Sequence, residues 1–171
     1  MAYLPKQLRF MRNLLTIAAC LMCWMSAHAQ GLSIDNNRKD VIWETSYRTT
    51  KTYDDILELI LAYDVLDNVV THRNMIAGDT YGAFLDYEAF GYRRAEMPLY
   101  LLNGRFKCRV IIHVADGMCS VEACHMRFVD PDGLTGVTYL YESRQSNTFS
   151  QACTLAMNHI AQLTLFEYDM Y

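Results

Sequence analysis

The chain has 171 residues, of which 52% are hydrophobic and 20% charged, and its formal net charge is −4. That length accommodates one domain with a core of its own. The acidic balance argues against a phosphate-backbone partner, which requires clustered Lys and Arg, so nucleic acid is not an expected partner.

The N-terminus has the three parts of an export signal. Lys6, Arg9 and Arg12 form a positive start without acidic neighbours. Leu14 to Met25 is an apolar run of about a dozen residues, the length of a signal core. A spanning helix would need roughly 20 apolar residues. Ala27-His28-Ala29 is a small-x-small site, so residues 1–29 are expected to be a signal peptide cleaved before Gln30. Ile17-Ala18-Ala19-Cys20 also has the residue types of a lipoprotein site, and acylation of Cys20 is the one route by which membrane attachment is expected. Both routes lead out of the cytoplasm, to the periplasm, the outer surface or the medium. Processing after Ala29 removes three of the 15 basic residues and none of the 19 acidic ones, leaving 12 against 19 and a net charge of −7.

Residues 30–40 are polar and read as a flexible lead-in, with residues 41–171 forming one domain. Val41 to Tyr47 is rich in β-formers and predicts a strand. Thr50-Lys51-Thr52 offers a cap before Tyr53-Asp54-Asp55, whose acids suit a helix N-terminus. Ile56, Leu59, Ile60, Tyr63 and Leu66 then recur at helical spacing. Val69 to Thr71 and Tyr81 to Tyr87 have strand composition, with a turn expected at Ala77-Gly78-Asp79 and another at Asn103-Gly104. Ala89 to Pro98 reads as a connection.

Asp116-Gly117 suits a two-residue type I′ turn between Phe106–Ala115 and Met118–Val129. Position 114 then faces 119, and 112 faces 121. Phe106, Cys108, Val110, Ile112 and Val114 share the core side with Cys119, Val121 and Ala123, while Lys107, Arg109, His113, Ser120 and Glu122 lie opposite. Continuing the ladder sets Cys108 against His125 and turns Cys124 outward. Asp130-Pro131-Asp132-Gly133 is a turn, and Val137 to Tyr141 makes a short strand. Ser146-Asn147-Thr148 caps a final helix with an apolar stripe of Phe149, Cys153, Ala156, Met157, Ile160 and Ala161. The expected fold class is α+β: a twisted antiparallel sheet with two helices packed on one face, in the order β-α-β(n)-α.

This order, with the late hairpin Arg109-Val110-Ile111-Ile112-His113-Val114-Ala115-Asp116-Gly117-Met118-Cys119, resembles a family of small secreted proteins from Bacteroides-type bacteria. That family is a domain of unknown function with a TBP-like fold, and the resemblance spans roughly residues 41–166. It implies the fold and no catalytic residue. A fold name does not carry DNA binding with it, because function resides in sites.

The residues able to do chemistry form no strong motif. His72, His113, His125 and His159 lack H-x-x-x-H or H-E-x-x-H spacing. Adjacent Cys124 and His125 on a regular strand point to opposite faces, which disfavours shared ligation. Cys108, Cys119, His125 and Cys153 are the residues a zinc ion would use, but buried thiols beside a satisfied histidine are the favoured reading. Four cysteines, Cys108, Cys119, Cys124 and Cys153, remain after processing, as free thiols or with a helix-to-sheet bridge involving Cys153. Asp130-x-Asp132-Gly133 has Leu134 and Tyr141 where a calcium loop requires ligands. Tyr81, Tyr87, Tyr92, Tyr100, Tyr139, Tyr141, Tyr168 and Tyr171 crowd the second half, partly to complete the sheet faces and partly suited to contact. No catalytic, cofactor-binding or metal-ligating residue is assigned, and no cofactor is expected. The leading expectation is a non-enzymatic module that binds a protein or an envelope component through the polar sheet face of Arg109, His113, Ser120 and Glu122. The alternative is a hydrolase-like envelope enzyme using Cys or His.

Overall fold

The computed structural model describes residues 31–131 and 136–163, with side chains described to residue 161. The expected signal peptide, Cys20, and the tyrosines at 168 and 171 lie outside these residues, as do Asp132 and Gly133 of the expected turn. The element order is β1 (Gly31–Asp35), β2 (Asp40–Arg48), α1 (Tyr53–Ala62), β3 (Leu66–His72), β4 (Met75–Thr80), α2 (Leu99–Asn103), β5 (Arg105–Ala115), β6 (Met118–Val129), β7 (Val137–Tyr139) and α3 (Phe149–Leu163). The strands form one antiparallel sheet in the order β1-β2-β6-β5-β4-β3, with β7 paired to the far end of β6.

The β5–β6 hairpin is the centre of the sheet. Asp116 and Gly117 both take positive φ, 52° and 72°, as a type I′ turn demands. Val114 pairs Cys119, His113 pairs Ser120 and Ile112 pairs Val121, the expected register. That phase buries Phe106, Cys108, Val110, Ile112 and Val114 with Cys119, Val121 and Ala123. The pairing shifts between Lys107 and Arg109: Arg109 lies opposite Cys124, but Lys107 lies opposite Arg127. The extra residue on β6 is a bulge, with His125 at φ 52°. Downstream of it Met126 and Phe128 are buried. Without the bulge the same alternation would bury His125 and Arg127 instead.

Both larger helices lie on the apolar side. Thr52 caps α1: its hydroxyl accepts from the Asp55 N–H (3.2 Å), and the Asp55 carboxylate accepts from the Thr52 N–H (2.7 Å). Ile56 and Ile60 of α1, Leu101 of α2, and Ala152, Cys153, Leu155, Ala156 and Ile160 of α3 join the buried face of the sheet in one core. Phe128 stacks obliquely on Tyr100 and Phe106, with centroids 5.2 and 5.5 Å apart. The α+β class and the one-faced helix layer are as expected.

Four expectations are corrected. Residues 31–40 are not a flexible lead-in: Gly31–Asp35 pairs with β2 from Gly31↔Glu44 to Asp35↔Asp40. The Asp35 carboxylate accepts from the Asn37 and Arg38 N–H groups, so the polar residues build the connecting turn. Ala77-Gly78-Asp79 is not a turn but the middle of β4, and the turn falls at Arg73-Asn74. Gly78 is needed there for close approach, since a Cβ would sit 2.8 Å from the Leu66 Cβ. Tyr81 to Tyr87 is largely irregular, tied to the sheet by the single bridge Ala83↔Phe106. The helical stripe ends early: Tyr63 caps α1 and is 69% exposed, and Leu66 is the first residue of β3.

Candidate functional site

The helices pack on one face of the sheet, and among the described residues no helix covers the other. Glu44 and Ser46 of β2, Ser120 and Glu122 of β6, Arg109 and His113 of β5, and Asp79 of β4 share that outer side by register. Opposite charges are interleaved across it. Arg109 Nη1 stands 3.8 Å from Asp79 Oδ2, and Arg38 Nη1 stands 3.5 Å from Glu122 Oε1. The Ser46 and Ser120 hydroxyls are 2.9 Å apart. A shallow groove of about 540 Å³ runs beside the β1–β2 turn, lined by Ser33, Asp35, Arg38, Ile42, Glu44 and Glu122. The polar face expected from the sequence is therefore assembled, with His113 exposed and Arg109, Ser120 and Glu122 partly buried.

The bulge places a second group at the end of this face. A regular strand would separate Cys124 from His125, but the left-handed backbone at His125 breaks that alternation. Donor atoms of Asp40, Cys124 and His125 consequently lie within 4.8 Å of one another. The expectation that these two neighbours point to opposite faces, disfavouring shared ligation, is thus overturned. So is the facing of Cys108 and His125, because the shifted register exposes the His125 side chain at 59%.

Asp40 organises the group. Its carboxylate accepts from the His125 main-chain N–H at 3.1 and 2.9 Å and from the Val41 N–H at 2.8 Å, and Oδ2 stands 3.0 Å from His125 Nδ1. These bonds satisfy an N–H that the bulge removes from the ladder. Arg127 Nη1 donates to the His125 carbonyl at 3.2 Å, completing the bulge. Nothing in the sequence marks Asp40: it opens β2, and its partner His125 lies 85 residues away.

The remaining candidates disperse. Cys108, Cys119 and Cys153 are buried on the helix side, so the set Cys108, Cys119, His125 and Cys153 does not converge. All four described cysteines are free thiols. Burial pushes Cys108 and Cys124 up to about 12 and Cys153 to about 11, and Cys119 is raised for the same reason. Cys124 lies on the outer side by register, opposite Arg109, as expected, but is 4% exposed there; Glu122 and Asp40 raise its thiol further, against Arg109 and Arg38. His72 is exposed on β3, and His159 is half-buried on α3 beside Phe106. Tyr81 and Tyr139 are exposed, whereas Tyr141 is buried.

An antiparallel sheet with helices on one face and an open opposite face defines the protein as an α+β chain of TBP-like architecture. A solved structure supports that class: a TBP-like protein from Parabacteroides distasonis matches with a TM-score of 0.54 at 13% identity, covering 80% of this chain and 94% of that one. At that identity the likeness concerns the fold. No family model and no curated protein matches the sequence.

Proposed function

We propose that this protein is an exported, non-enzymatic binding module of the cell envelope that engages a protein or envelope component through the outer face of its sheet. The carrying observation is that, among the described residues, no helix covers this face, which presents Arg109, His113, Ser120 and Glu122 together with an acidic groove. Interleaved charges of both signs suit specific recognition more than nonspecific attraction. The acidic balance of residues 30–171 speaks against nucleic acid. Export rests on the positive start, the apolar run and the Ala27-His28-Ala29 site. Membership in the small secreted family of Bacteroides-type bacteria is part of this proposal, supported by the TBP-like neighbour from Parabacteroides.

The test is capture from an envelope extract of the source cells. The unaltered protein retains a partner, and the combined variant Arg109→Ala, His113→Ala, Ser120→Ala and Glu122→Ala loses it. Equal capture by the combined variant overturns the assignment of this face. Intact mass of protein recovered outside the cytoplasm tests export. Loss of residues 1–29 is expected, an acylated Cys20 marks the lipoprotein route, and a full-length cytosolic chain overturns export.

The hydrolase reading has one specific observation in its favour, the juxtaposition of Cys124, His125 and Asp40. A nucleophilic cysteine works as the thiolate, and this thiol is held protonated by burial and neighbouring carboxylates. Binding is the better-supported reading.

A further inference from the structure

The bulge on β6 assembles three donors of different chemistry on one spot: a carboxylate, a thiol and an imidazole. We propose that Asp40 Oδ2, Cys124 Sγ and a ring nitrogen of His125 form a binding site for one divalent ion of the zinc class, with the fourth position open. The inference goes beyond the binding role of the sheet face and does not depend on it.

The donor types suit a borderline-soft ion. Thiolate and imidazole disfavour magnesium and calcium, which take oxygen ligands, and a single sulfur with one nitrogen and one oxygen is within zinc's range. Distances are close to what coordination requires. Ligands held at about 2.0–2.3 Å around a tetrahedral ion lie roughly 3.2–3.8 Å apart. The three donors already lie within 4.8 Å, and the Asp40–His125 pair is at 3.0 Å. Closure on an ion therefore requires the donors to draw together by at most about 1–2 Å, and the exposed imidazole has the most freedom to move.

Two of the three donors are fixed before any ion arrives. Asp40 is held by the Val41 and His125 N–H groups with its side chain 7% exposed, and Cys124 is 4% exposed. His125, exposed at 59%, leaves an entry path. On binding, the ion takes the place of any proton between Oδ2 and Nδ1, and the Cys124 thiol releases its proton to solvent as the metal–sulfur bond forms. Thiolate, carboxylate and neutral imidazole then balance a double positive charge. Glu122 on β6 adds a nearby negative charge, and Arg38 of the β1–β2 turn and Arg109 of β5 offset it. Because a metal-bound sulfur is a thiolate, binding releases a proton and affinity rises with pH.

The experiment is titration of reduced, untagged protein with zinc chloride in competition with a chromophoric chelator, and with cobalt chloride followed by absorption. Expected are one equivalent of zinc, tighter binding at mildly alkaline than at neutral pH, and a near-ultraviolet thiolate-to-cobalt band. Cys124→Ser removes the band and weakens zinc binding about 10-fold or more, His125→Gln weakens it comparably, and Cys153→Ser changes neither. Asp40→Asn is not decisive, since Asp40 also holds the backbone; the exposed His125 carries the test instead. Absence of zinc binding, or a cobalt band that survives Cys124→Ser, overturns the site. Neither result bears on capture of a partner by the sheet face, so the two proposals fail separately.

Discussion

Asp40 and His125 are joined through three contacts, two from the carboxylate to the main-chain N–H (3.1 and 2.9 Å) and one of 3.0 Å to the ring Nδ1. The main-chain contacts are structural and the ring contact is exposed, so the two partners contribute unequally. Asp40→Ala leaves two N–H groups without their acceptor and is expected to destabilise by about 2–4 kcal/mol. His125→Ala keeps the N–H and loses only an exposed pair, at a cost below about 1 kcal/mol. Urea unfolding of both variants checks the asymmetry, and equal losses contradict it.

Gly78→Ala tests why β4 has a glycine at its centre. The added methyl meets the Leu66 Cβ at 2.8 Å and the Asp67 carbonyl at 3.0 Å, and neither belongs to a flexible chain end. Overpacking of this kind costs about 1–3 kcal/mol. A lowered thermal midpoint is the expected outcome; a rise would indicate a turn at this position.

The four described thiols are expected to resist alkylation in the native state. Three are raised to about 11 or 12 by burial and Cys119 is raised likewise, so little thiolate is present at neutral pH. Mass spectrometry after iodoacetamide should show negligible labelling in buffer and complete labelling in denaturant. Rapid native labelling of Cys124 would revive the nucleophile reading.

Stability is expected to fall on acidification, in part through His159. Burial holds its imidazole below the ordinary 6.5, and Nε2 is buried with no hydrogen-bond partner among the described residues. As pH drops below 6.5 the unfolded chain takes up the proton before the folded one does, and stability declines until the lower folded value is passed. The ring also meets Phe106 edge-on at 5.8 Å. His159→Phe keeps an aromatic there and should flatten the urea-midpoint profile between neutral pH and about pH 5. An unchanged slope assigns the acid sensitivity elsewhere.

The sequence makes some of these relationships visible and hides others for identifiable reasons. Asp116-Gly117 declares its hairpin because a type I′ turn requires two positive φ values, and the register of residues 110–114 follows by counting. The bulge is hidden because a histidine, not a glycine, adopts the left-handed backbone, and every pairing beyond Arg109 shifts with it. The same hidden residue conceals the site: period-two reasoning separates Cys124 from His125. Strand β1 is missed because its polar turn resembles a tail. Strand β4 is missed because Gly78-Asp79 has turn composition, although a close approach to Leu66 determines the glycine.

Strand β6 is bonded to β2, β5 and β7, and its partners come from opposite ends of the chain. During synthesis Asp40 emerges long before the residues that complete its cluster, and the intervening hairpins can close without it. The cluster therefore exists only where β2 has paired with β6. A signal from these three side chains is therefore a signal that this long-range pairing has formed.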